Sequence, residues 1–337
     1  MSSQIANNAL YLTENTADFG CRHIVRDSTG KRYAIHINED GDLEVNSSTD
    51  GVTWSFDTSF TPASGYLRFP TLCIGKDDDL YVAYREGTVS DYTVKVQQRA
   101  HSGGAWTDRL TWDITIYGTQ FAPNPGITAS KYLSDRIHVF VAYQDTATSH
   151  LVQNKYTDNK GSAWSDGVDL TWAISTGEKD CYIWDIDTYN NGNVILIMRS
   201  FNTTYKCVFS DIGTSGVKTQ LTSACPDGGS LVVDYDDNLR WIVLEYSTGI
   251  YTWDGNTLIA EMRRGSISMG LDGDGNVYVF YTKTSDDKTY YYKWTRSTVT
   301  WDISATLLSS NKGDRVKCEQ RALTTSTKLC VVYFSDI

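Results

Sequence analysis

Ser266-Ile267-Ser268-Met269-Gly270-Leu271 runs into Asp272-Gly273-Asp274-Gly275-Asn276, and then into Val277-Tyr278-Val279-Phe280-Tyr281. An apolar run, a turn of Asp, Gly and Asn, and a stronger β-branched and aromatic run read as a tight antiparallel hairpin. Gly and Asn accept the positive φ that such a turn needs. The second run is apolar at nearly every position. A strand covered on both faces reads this way, because neither set of alternating side chains meets water.

The same unit recurs along the chain. It reads Arg22–Asp27 with Tyr33–Ile37, Thr71–Ile74 with Leu80–Tyr84, and Ile127–Ala129 with Ile137–Tyr143. It continues in Tyr182–Thr188 with Val194–Met198, Ser230–Tyr235 with Leu239–Tyr246, and finally Cys318–Leu323 with Leu329–Phe334. The seven copies return about every 49 residues. A weaker, more polar hairpin follows each of the first six, for example Asp42–Asn46 with Thr53–Phe56 and Tyr205–Phe209 with Val217–Leu221. Four strands per repeat of this length is the pattern of a β-propeller blade, with the outer pair polar because its last strand is an edge.

The reading is therefore all-β: a seven-bladed β-propeller of four-stranded antiparallel blades in a single domain, residues 1–337. The expected blades are 18–62, 63–118, 119–176, 177–224, 225–262, 263–310, and 311–337 closed with 1–17. The seventh copy has no outer hairpin, and Ser2–Ala6 with Ala9–Thr13 have the shape to supply one, so strands from both termini are expected to close the last blade. Two stacked β-sandwiches are the rival architecture.

Composition narrows the function. Thirty basic against 41 acidic side chains leave a net charge of −11, which argues against nucleic acid or an anionic membrane as partner. The apolar run Ile137–Tyr143 stops after seven residues, against roughly 20 for a membrane span. Met1-Ser2-Ser3-Gln4 opens no signal peptide, so synthesis in the cytoplasm is expected. The seven cysteines are scattered, several inside apolar runs, and read as buried reduced thiols. No metal or cofactor is expected. His23, His36, His101, His138 and His150 lack metal spacing, and there is no phosphate-binding loop or Gly-x-Ser-x-Gly elbow. Asp272-Gly273-Asp274 resembles the start of a calcium loop, but the sixth and twelfth positions hold Val277 and Lys283 instead of Gly and Glu.

Ser47-Ser48-Thr49-Asp50-Gly51-Val52-Thr53-Trp54 resembles the Asp-box of sialidase-like propellers, with Asp50 one place late when Trp54 is aligned. The resemblance implies a structural role for Ser48, Asp50, Gly51 and Trp54. Leu67-Arg68-Phe69-Pro70-Thr71-Leu72 is similar to the Arg-Ile-Pro segment of sialidases. That likeness implies that Arg68 holds a substrate carboxylate, a role a guanidinium suits. The family also uses two further arginines, a Tyr with a Glu partner, and an acid/base carboxyl. Arg22, Arg263, Arg264, Arg315 and Arg321, with Glu86, Glu245 and Glu319, are the inner-strand candidates. Arg68, Glu86, Glu245, Arg263 and Arg315 form the catalytic set a sialidase-like enzyme would draw on. Tyr290, Tyr292 and Trp294 share one strand face and read as packing between blades. Arg68, Trp112, Trp172, Tyr182 and Trp184 are the places to look for ligand contact.

The expected function is a non-catalytic binding or structural propeller that recognises a glycan, a host receptor or a partner protein through its loops; oligomerisation stays open. A sialidase-like glycoside hydrolase is the alternative. A sialidase-like propeller without an export signal, acidic and rich in Asn, Ser and Thr, points to an assembly component of a bacteriophage particle, so the binder is expected to be virion-associated, with other virion proteins among its partners.

Overall fold

The computed structural model describes residues 22–38, 40–51, 53–63, 65, 67–87, 92–116, 124–131, 135–173, 181–200, 203–211, 215–222, 226–245, 249–258, 262–312, 315–321 and 329–334. Blade one is β1 (Ile24–Arg26), β2 (Arg32–Ile37), β3 (Leu43–Ser48) and β4 (Ser55–Phe60). Blade two is β5 (Arg68–Ile74), β6 (Leu80–Gly87), β7 (Tyr92–Arg99) and β8 (Thr107–Ile114). Blade three is β9 (Asn124–Ala129), β10 (Ile137–Thr146), β11 (Ser149–Thr157), and a split fourth strand, β12 (Ser165–Asp166) and β13 (Leu170–Ala173). Blade four is β14 (Cys181–Thr188), β15 (Val194–Ser200), β16 (Thr203–Phe209) and β17 (Gly216–Thr222). Blade five is β18 (Pro226–Val233), β19 (Leu239–Glu245), β20 (Gly249–Thr252) and β21 (Thr257–Leu258). Blade six is β22 (Met262–Leu271), β23 (Val277–Lys283), β24 (Lys288–Thr295), and a second split strand, β25 (Thr300–Trp301) and β26 (Thr306–Lys312). Then come β27 (Arg315–Cys318) and β28 (Val331–Phe334).

Neighbouring strands pair antiparallel and in chain order, except that the split fourth strands add β13 to β11 and β26 to β24, so each blade is a meander. Among the described residues the chain is all-β with six four-stranded propeller blades, which corrects the expectation of seven. The seventh copy is a two-stranded pair, β27 with β28, which no other strand joins among the described residues. The repeat in the sequence counts turn-linked inner pairs, and an inner pair becomes a blade only with an outer pair beside it. The strand also starts earlier than Cys318, at Arg315, with Cys318 opposite Val331. The closing strands expected from Ser2–Ala6 and Ala9–Thr13 lie outside the described residues.

Blades one, five and six group with the β27–β28 pair in one compact unit, and blades two to four in another. Strand periodicity explains how each unit packs. On β10, Val139 and Val141 join Val94, Val96 and Ile127 in a cluster shared with blade two. Phe140 and Ala142, pointing the other way, join Ile183, Leu196 and Met198 of blade four. On β24, Tyr292 and Trp294 pack with Ile242, Leu244 and Met269. Tyr291 turns to Phe280 and Val316 instead. Inner strands are thus covered on both sides, which is why their sequences do not alternate.

The turns that drew attention in the sequence are built on one device. Asp272 Oδ1 accepts from the Asp274 and Asn276 amides at 3.0 and 2.8 Å. Asp234 does the same for Asp236 and Asn238, and Asp27 for Thr29 and Lys31. In the Asp-box-like turn, Gly51 N–H donates to Ser48 Oγ at 2.8 Å and Thr53 N–H to Asp50 Oδ1 at 2.7 Å, while Trp54 is buried. The five described cysteines, Cys73, Cys181, Cys207, Cys318 and Cys330, are buried. No helix among the described residues is long and apolar enough to cross a membrane.

Candidate functional site

The first strand of blade two opens with Arg68-Phe69-Pro70. Phe69 has φ 52°, a left-handed conformation that a bulky side chain rarely adopts. The register slips between Arg68 and Thr71, and the slip sets Arg68 directly opposite Arg85. Two guanidinium-bearing side chains therefore share one face at neighbouring strand positions, an arrangement that is destabilising for like charges.

Arg85 is only 4% exposed. The Phe69 and Tyr92 rings cover it, each centroid 4.7 Å from Cζ. These rings offset part of the burial cost. Its Nε and Nη1 atoms are buried without a hydrogen-bond acceptor. Burial pushes the guanidinium down to about 10, and the charge of Arg68 adds to that push. A buried cation with two unmet donors is costly unless an anion meets it. A carboxylate, flat and bidentate, has the matching shape.

Tyr182, on β14 of blade four, lies close enough to act electrostatically on Arg85. Its cross-strand partner is the buried Arg199. Asn124 fixes the start of β14: its Nδ2 donates to the Ile183 carbonyl at 2.6 Å, and its Oδ1 accepts from Ile183 N–H at 3.0 Å. Trp184 is the residue passed over where the β14–β15 register slips; it is 3% exposed and its indole N–H has no acceptor.

Of the residues expected to touch ligand, Arg68 thus stands opposite Arg85, and Tyr182 acts on Arg85 electrostatically. Trp112 belongs to the same cross-strand row, Arg68–Arg85–Val94–Trp112, but three strands out. At the usual spacing that is about 14 Å from Arg68. Lys155 Nζ sits 5.1 Å from the Trp112 ring. Trp172 lies on β13, donates to Ser200 Oγ at 3.0 Å, and has Lys218 Nζ 4.3 Å above its ring.

The carboxylate candidates lie elsewhere. Glu86 follows Arg85 and so points to the other face of the strand, where Lys95 Nζ is 2.7 Å away and the Ala63 amide also donates to it. Glu319 is held by Arg26 and Arg32, and Arg22 by Asp187 at 3.1 Å. Arg321 donates to the Val233 carbonyl. The side chains of Glu245, Arg263, Arg264 and Arg315 lie outside the described residues. Among the described residues no group of three His, Cys, Asp or Glu side chains could hold a metal ion.

Sequence reasoning named Arg68 but passed over Arg85, Phe69 and Tyr92. The signal for Arg85 was present: a lone cation at the end of Leu80-Tyr81-Val82-Ala83-Tyr84, a run otherwise fit only for a core.

No family model matches the chain, and no curated protein matches it by sequence. Solved structures do. The alpha-L-arabinofuranosidase of Fusarium graminearum is similar over 82% of this chain and 94% of its own, at 12% identity and TM-score 0.55. A Hadza microbial sialidase is similar over 96% of this chain, which spans 64% of the sialidase, at 11% identity and TM-score 0.52. The Aleuria aurantia lectin solved with Fucalpha1-6GlcNAc is similar over 85% of this chain and 78% of its own, at 14% identity and TM-score 0.50. At these identities the likeness is one of fold alone.

Proposed function

We propose that this protein is a non-catalytic, glycan-binding propeller whose Arg68–Arg85 pair receives the carboxylate of an acidic sugar. One observation carries the reading: Arg85 is buried opposite a second arginine, with two donors unmet. In a chain of net charge −11, such a site is a local exception whose natural complement is an anion. The glycan-directed names of the structural neighbours, a sialidase, an arabinofuranosidase and a lectin, support sugars as the ligand class. A virion setting, with a host receptor carrying that glycan, remains part of the proposal; tail or capsid genes beside this one would support it.

A hydrolytic reading rests on the closeness of Tyr182 to Arg85. Against it, Glu86 points away from the pair and is held by Lys95. Calorimetric titration with N-acetylneuraminic acid and D-glucuronic acid, beside their methyl esters, tests the binding proposal. Saturable binding of the acids, lost in the esters, is expected; equal affinity for acid and ester would sink it. Turnover of a fluorogenic sialoside would replace binding with catalysis.

A further inference from the structure

The outer strand of blade six is broken. Both β25 and β26 pair with β24; Asp302 still donates its amide to the Lys293 carbonyl at 2.8 Å, and residues 303–305 lie between the two strands. Beside the break lies a cleft of about 470 Å³, bordered by blade five, with the buried Leu258 and Tyr292 among its lining residues. This is the size range of small-ligand sites.

Two of its apolar residues are placed at a cost. Ile303 is fully exposed and Val299 is 69% exposed. Val299 also has φ 57°, a left-handed conformation that a β-branched residue adopts only under strain. Exposure and strain at one position are a poor choice for a turn that only has to reverse the chain, and such strain concentrates where a chain has a ligand to meet.

Between them stands Trp301, which is held from behind. Its indole N–H donates to Asp254 Oδ2 at 3.1 Å, and its ring tilts against Trp253 at 5.2 Å. Trp253 in turn meets Trp294 edge-on at 5.6 Å. With its polar edge and one side engaged, the ring is a fixed apolar platform. Around it the cleft carries hydroxyl, amide and carboxylate groups from Thr257, Thr300, Asn256 and Asp302, and among the described residues no Lys, Arg or His lines it. An anionic ligand finds no counter-charge here, and a purely apolar one leaves the polar groups unmet.

We propose that this cleft binds a neutral pyranose, with the sugar's C–H face on Trp301 and its hydroxyls bonding Asn256, Thr257 and Asp302. The site is separate from the Arg68–Arg85 pair and does not depend on it. It would make the chain a glycan binder with two sites of different charge preference.

The test is saturation-transfer NMR and tryptophan fluorescence on the full chain with D-glucose, D-galactose, D-mannose and N-acetyl-D-glucosamine. Saturable binding of at least one is expected. Trp301→Ala should weaken it tenfold or more, and Ile303→Ser several-fold; the latter touches a fully exposed side chain and leaves folding intact. Arg85→Met should leave it unchanged, which separates this site from the acidic one. No saturable binding by the folded wild type, or binding indifferent to both cleft variants, overturns the proposal. So does concentration-dependent self-association removed by Ile303→Ser, which would make the patch an interface between copies.

Discussion

Arg26 and Glu319, 293 positions apart, form a two-pronged ion pair: Arg26 Nε donates to Oε2 at 2.8 Å and Nη2 to Oε1. Arg32 Nε lies 3.4 Å from Oε2, and the Cys330 amide donates to Oε1 at 2.6 Å. The carboxylate is 1% exposed, so one buried group ties blade one to the β27–β28 pair.

Glu319→Ala leaves two guanidiniums and an amide around an empty space. A loss of about 3–5 kcal/mol is expected, the usual cost of breaking a buried pair from one side. Glu319→Gln keeps an acceptor for the amide and should cost less. Urea unfolding followed by tryptophan fluorescence measures both. If Glu319→Ala costs under about 1 kcal/mol, the surface-pair range, the pair is not a structural tie.

Arg85 should behave in the opposite sense. Its side chain is buried with two donors unmet, so Arg85→Met removes an uncompensated cation and keeps the packing volume. The melting temperature should hold or rise, as when buried ionic groups give way to apolar ones. Affinity for an acidic monosaccharide should fall at least tenfold, the equivalent of one charge-assisted bond of about 1.5–3 kcal/mol. A structural arginine would instead lose stability and leave binding untouched, so thermal melts and calorimetry on one variant separate the two.

Much of this was legible in the sequence. Tyr33–Ile37, Leu80–Tyr84 and Val194–Met198 are runs whose apolar residues do not alternate, and each lies within the second, doubly covered strand of its blade. The turns were legible because an Asp or Asn two residues before an amide donor is a local device, complete within five residues. The blade count was not, because a hairpin signal cannot say whether an outer pair stands beside it. Nor were β13 and β26, the second halves of the split edge strands, where solvent on one side removes the demand for apolar residues. Arg68 was legible through its segment. The Arg68–Arg85 opposition was not, because it depends on a register slip at Phe69-Pro70 that no local pattern announces.

Acid should loosen blade one at a defined place. His36 Nε2 lies 3.2 Å from Glu44 Oε2. Burial holds the His36 imidazole below its ordinary 6.5, against the pull of Glu44. Glu44 is itself held below 4.5, first by its hydrogen bond with His36. Both folded values lie under the unfolded ones, so the unfolded chain binds more protons and stability rises with pH. The contribution of His36 is complete above about pH 6.5 and is lost as pH falls below it; that of Glu44 goes below about 4.5. His36→Gln should therefore flatten the stability profile between about pH 5 and 6.5 in urea titrations, and an unchanged slope there would count against the assignment.

The Asp272 turn separates a structural carboxylate from a cation site. Asp272 is 1% exposed, and besides two backbone amides it accepts from Asn276 Nδ2 at 3.0 Å. Both oxygens are thereby engaged within the loop. At the sixth place, where a calcium loop bends on Gly, Val277 already begins β23. Asp272→Ala leaves the two amides without their acceptor and should cost about 2 kcal/mol or more, while Asp272→Asn, which keeps one acceptor oxygen, should cost about half that. Millimolar calcium or a chelator should leave the melting temperature of the wild type where it is. A ligand that binds only the folded state must raise that temperature with concentration, so a calcium-dependent rise abolished by Asp272→Asn would show a cation loop here after all.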